Sequence, residues 1–63
     1  MTAEWYEAET QHGDEWRQVL TVMGDVVRRY DTATEARDCT RYIRYAPVRI
    51  VRVHADGRRE VVS

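Results

Sequence analysis

Apolar and polar residues alternate with a period of two over several short stretches of this chain, the pattern of strands with two unlike faces. Five segments carry it. Trp5 to Thr10 alternates weakly, Trp16 to Met23 contains Val19, Leu20 and Val22, and Val26 to Tyr30 is short and holds two arginines. Val48 to His54 is β-branched at nearly every position that is not arginine, and Arg59 to Val62 follows it.

Turn signals separate these segments. Asp56-Gly57 stands between two valine-rich runs, a strong hairpin signature when both central residues take positive φ. Gly24-Asp25 suits a two-residue turn that places glycine first. The break at Gly13 fits a loop of about two to four residues, which leaves its register open.

One stretch follows a helical period instead. Thr32-Ala33-Thr34-Glu35 has the form of a capping box, with the Thr32 hydroxyl accepting from the Glu35 amide. Ala36, Cys39, Thr40 and Ile43 then fall on one stripe, so Cys39 is expected to be buried as a small hydrophobe. Pro47 stops the helix, which is predicted to run for about thirteen residues and to need the sheet for support.

The predicted order is β-β-β-α-β-β over residues 1–63. This is a single small α+β domain with one helix packed on one face of a mainly antiparallel sheet. One helix cannot cover both faces of such a sheet. With a two-residue turn at Gly24, Trp16, Leu20, Val22 and Val27 form the expected core side. Arg17, Val19, Met23, Val26, Arg28 and Tyr30 then form an exposed side of mixed apolar and arginine character, as an interface with a protein would be. In the fourth segment Arg49, Val51 and Val53 face one way, and Val48, Ile50, Arg52 and His54 the other.

Composition narrows the functional classes. The chain has 63 residues and a formal charge of −1, against a generic polycationic nucleic-acid binder. All ten basic residues are arginine, and lysine, asparagine and phenylalanine are absent, a depletion that reads as codon bias in a GC-rich genome. The five carboxylates of residues 1–15 meet no base there, so the acidic first strand is expected to pair internally with the arginine-bearing strands. Glu7 and Glu9 share one face of that strand and are expected to be exposed. The single cysteine forbids an internal disulfide. No apolar run approaches the roughly 18 residues of a membrane helix, and no signal peptide is recognisable at the start. A cytoplasmic location is expected.

Catalytic and metal chemistry find little footing. His12, Asp14, Cys39 and His54 are the candidate ligands, but no pair has a spacing that specifies zinc. No phosphate loop, nucleophile elbow or framed carboxylate pair is present. The chain is therefore expected to be no enzyme and to carry no cofactor or metal. Arg37, Arg41 and Arg44 fall at i, i+4 and i+7 with Tyr45 beside them, a basic ridge that offers a footing for phosphate or base stacking.

From Trp16 through Val62, the sequence of a strand, Tyr30-Asp31-Thr32, a Thr-x-x-Glu-Ala helix start, Val48-Arg49-Ile50-Val51-Arg52-Val53 and an Asp-Gly hairpin resembles small orphan proteins of GC-rich bacteria and their phages. The resemblance covers about three quarters of the chain and transfers no functional residue. It implies a binding role, such as a phage-type inhibitor or modulator of a host protein. The expected function is thus a protein–protein interaction module acting through the sheet face that the helix leaves open, with a homodimer as the simplest form. The alternative is a nucleic-acid or nucleotide-binding module using the helix ridge and the arginine-bearing strands.

Overall fold

The computed structural model describes residues 4–21 and 23–63. These form strands β1 (Trp5–His12) and β2 (Glu15–Gln18), helix α1 (Ala33–Cys39), and strands β3 (Val48–Val53) and β4 (Arg59–Val61). The sheet is antiparallel throughout, in the order β2-β1-β3-β4, and the helix packs on the two central strands. The α+β class and the single layer of helix on sheet agree with the sequence pattern.

The third expected strand, Val26 to Tyr30, does not join the sheet as a strand. Val19 is the last residue of the β2 limb to pair with β1, donating its N–H to Ala8 O at 2.8 Å. Beyond it the chain turns on itself. Thr21 N–H donates to Val26 O, Arg28 N–H donates to Val19 O, and Leu20 bridges Val27. The loop closes with Gly24 at φ 79°, its N–H donating to Thr21 O, so Thr21 faces Val26 and the expected two-residue turn is not made. Tyr30 then returns to β1 and exchanges two 2.8 Å backbone hydrogen bonds with Tyr6. Residues 20–29 therefore form an arm that leaves one edge of the sheet and re-enters it. Val22, expected on the core side, lies outside the described residues.

The helix is seven residues long, about half the expected length. Its start is as expected: the Thr32 hydroxyl accepts from Glu35 N–H at 3.0 Å. Its early end comes from Thr40, whose hydroxyl turns back to donate to Ala36 O at 2.8 Å and Arg37 O at 3.2 Å. The next N–H groups reach three residues back, Arg41 to Asp38 O and Ile43 to Thr40 O, tightening the chain into turns before Pro47.

The core lies between α1 and the sheet. Ala8, Tyr30, Ala36 and Ile50 are buried together, with Tyr6, Val19, Ala33 and Val48 packed against them. Two alanines, Ala8 and Ala36, are fully buried where helix and sheet approach closely. This close seat decides which side of the sheet is which. In β1, Tyr6, Ala8 and Thr10 face the helix, opposite Arg52, Ile50 and Val48 of β3. Continuing the register into the second limb brings Val19 beside Ala8, while Trp16 pairs with Gln11 on the opposite face.

The expected assignment of sides is thereby corrected. Val19 packs on the core, and Tyr30 belongs to it with 4% of its surface exposed, whereas Leu20 is exposed. Cys39, expected on the buried stripe, is also exposed; Ala36, Thr40 and Ile43 fill that stripe without it.

Candidate functional site

The sheet face away from the helix is occupied by charge rather than left bare. Glu7 and Glu9 stand on that side of β1, and both are buried, with 4% and 7% of their surface exposed, against the expectation of exposed carboxylates. Arg49, directly opposite Glu9 in the register, donates from Nε to Glu9 Oε1 at 2.7 Å. Arg59 of β4 places Nη2 2.9 Å from Glu7 Oε1 and 3.0 Å from Glu9 Oε2. Trp5 Nε1 donates to Glu7 Oε2 at 2.8 Å, and Gln18 Nε2 shares Oε1 with Arg59, donating at 2.9 Å. The internal pairing of the acidic first strand with the arginine-bearing strands, as the charge distribution implied, is formed through these two glutamates.

Aromatic rings complete this cover. The Arg49 guanidinium sits 4.2 Å from the Trp16 ring centroid, and that of Arg29 sits 4.0 Å from the Trp5 ring. Val51 and Val53 lie beneath, at 1% and 5% exposed. Burial alone would push the Glu7 carboxyl up. The hydrogen bonds from Trp5, Arg59 and Gln18, with the charge of Arg59, outweigh it and hold the group below its ordinary value. Among the described residues no buried side-chain nitrogen or oxygen lacks a hydrogen-bond partner, so the network seals this face of the sheet.

The exposed large apolar residues lie on the arm (Leu20, Met23, Val26), in the turns after the helix (Tyr42, Tyr45) and at the β4 end (Val61, Val62). Met23 is 84% exposed, and Val26, Leu20 and Tyr42 are likewise exposed. A groove of about 360 Å³ runs between the arm and the helix end, lined by Leu20, Thr21, Arg28, Tyr30, Cys39 and Tyr42 among others. Burial pushes the Tyr30 phenol up from its ordinary value, against the opposing charge of Arg28, whose guanidinium lies 5.4 Å from the ring centroid.

Of the six expected interface residues, Met23, Val26 and Arg28 thus share the arm. Arg17 stays on β2, where it pairs with Glu15 at 3.3 Å, both side chains exposed. Val19 and Tyr30 belong to the core beneath the groove. Leu20 and Tyr42 were not among the expected residues. Leu20 was assigned to the core by size and alternation, and Tyr42 offers no sequence signal beyond its position after the helix stripe.

The basic ridge is only partly formed. Arg37 and Arg41 line one cavity, but only Arg37 is on the helix; Arg41, Arg44 and Tyr45 lie past its end, so no helical stack forms. Among the described residues no group of three or more His, Cys, Asp and Glu side chains could hold a metal ion. His12 instead shares a 2.9 Å hydrogen bond with Thr10, and His54 lies 3.0 Å from Glu60. No helix of the described residues is long and apolar enough to cross a membrane.

No family model, curated protein or solved structure matches this chain. Its function has to be read from the molecule itself.

Proposed function

We propose that this chain is a small non-enzymatic protein-binding module whose contact surface is the arm together with the helix end: Leu20, Met23, Val26, Arg28 and Tyr42. The observation that supports this reading is that Leu20, Met23 and Val26, three exposed large apolar side chains, share one short arm that leaves the sheet, with exposed Tyr42 across the groove from it. On the sheet, Val51 and Val53 are buried under Arg, Trp and Glu side chains, while Val61 and Val62 at the β4 end form a smaller exposed apolar strip apart from the arm. An apolar patch with arginine at its border has the composition of a protein interface. A second copy of the chain is the simplest partner, because a twofold contact uses one patch twice.

Sedimentation velocity over a wide concentration range tests the reading. Wild type is expected to self-associate, and Met23→Glu with Val26→Arg to remain monomeric with an unchanged melting curve, since neither side chain supports the core. A wild-type monomer at every concentration overturns the self-pairing form. Equal association of both proteins overturns the arm as the contact surface.

A further inference from the structure

A second cavity, separate from the arm, lies between the end of α1 and β3. It encloses about 230 Å³. Its floor is apolar: Ile43, Ala46, Val48 and Ile50 supply the lining, and Ile43 and Ile50 are themselves buried. Its lining includes Arg37 of α1 and Arg41 in the turn that follows the helix. Arg41 has only a loose contact with Asp38, at 3.7 Å, and among the described residues Arg37 has no carboxylate within ion-pair distance.

The polar groups of the lining discriminate by charge. Thr40 also lines the cavity, but its hydroxyl proton is committed to Ala36 O and Arg37 O. The same bonds occupy helix-end carbonyls that would otherwise repel an anion, and Asp38 O is taken by Arg41 N–H. Arg37 and Arg41 are the charged residues of the lining, and a guanidinium suits carboxylate geometry. The volume is below the range of about 300–1,000 Å³ typical for drug-sized ligands, so the occupant must be small.

We propose that this cavity binds a short-chain aliphatic carboxylate, with the alkyl chain on Ile43, Val48 and Ile50 and the carboxylate held by Arg37 and Arg41. The site is independent of the arm and goes beyond the protein-binding reading.

The test is amide chemical-shift titration of the whole chain with propionate, butyrate and hexanoate, using hexanol and hexylammonium as controls. Hexanoate is expected to shift the Thr40, Ile43, Ala46 and Ile50 amides and to leave those of Thr21 to Arg28 in place. Affinity should rise about fourfold for each added methylene until the cavity is full, the ratio that corresponds to about 0.8 kcal/mol per buried CH2. Arg37→Gln with Arg41→Gln should lower hexanoate affinity at least about tenfold. A melting curve measured alongside will show whether that variant remains folded, as expected for two surface side chains. Hexanol binding as well as hexanoate, or no response of these amides to hexanoate at millimolar concentration, overturns the proposal. Unchanged binding by a folded double variant does the same.

Discussion

Arg59 of β4 reaches across β3 to Glu7 of β1, closing an ion pair of 2.9 Å between strands that are not neighbours in the sheet. The same guanidinium nitrogen stands 3.0 Å from Glu9 Oε2, so one side chain on the edge strand serves two buried carboxylates on the central one. Removing it leaves Glu7 with only the neutral donors Trp5 and Gln18, and Glu9 with Arg49 alone. Arg59→Ala is expected to destabilise the fold by about 2–3 kcal/mol, below the largest values for buried pairs because the arginine is partly exposed. Chemical denaturation measures it. In a double-mutant cycle with Glu7→Gln the two losses should not add, and strict additivity would show that the pair is energetically uncoupled.

The same carboxylate gives the stability a pH dependence of known sign. Glu7 ionises more readily in the fold than in the unfolded chain. Its contribution is therefore complete above the unfolded carboxylate pKa of about 4.3 and is lost as pH falls through the lower folded value. Thermal melts of wild type should lose stability below that region, and Glu7→Gln, which carries no ionisable group there, should fall less steeply. Parallel acid profiles for the two proteins would exclude Glu7 as a source of the slope.

Helix α1 is short enough for its single cap to matter. Thr32→Ala deletes the hydroxyl that accepts from Glu35 N–H and should cost about 1 kcal/mol. For a domain of this size that is a fall in melting temperature of about 4–8 °C. Thr32→Ser should retain most of the stability. A loss in the serine variant equal to that in alanine would assign the effect to the lost methyl group.

Cys39 lies open at the groove beside Tyr42. A thiol reagent should label it under native conditions without the delay of an opening step, and Cys39→Ala should change stability by less than about 0.5 kcal/mol. Labelling that waits for denaturant would place the thiol inside after all.

Features whose energetics reside in a few consecutive residues were legible in the sequence. The Thr32 cap is one, and the Asp56-Gly57 hairpin another. There Gly57 alone takes positive φ, at 91°, while His54 N–H donates to Arg58 O, so the turn is one residue longer than the expected form. The two sides of β3 also followed directly from alternation. Alternation does not say which side receives the helix. The more purely apolar side holds Trp16 and Leu20, but the close approach of Ala36 requires a small partner, and Ala8 supplies it. That choice carries Val19 inward and sends Trp16 to lie under Arg49.

The burial of Glu7 and Glu9 was hidden for a different reason. The arginines that hold Glu9 are 40 and 50 residues away along the chain, and no local pattern marks them as its neighbours. Helix length was misread because Thr40 fits the apolar period, yet its hydroxyl competes for the backbone and ends the helix.

The arm begins and ends at residues fixed to the core: Val19 is bonded to Ala8, and Tyr30 to Tyr6, on the same edge of β1. Between them the described backbone bonds run within the arm, Arg28 N–H closing it onto the anchor Val19 O. The entropy of closing such a loop changes slowly with its length, about 0.6 kcal/mol for each doubling. Residues 20–29 could therefore be lengthened, shortened or replaced by another hairpin while the anchoring pairs hold the sheet in register. The molecule separates the part that must stay constant for folding from the part free to diverge, and Met23, the most exposed large apolar residue among those described, lies in the latter.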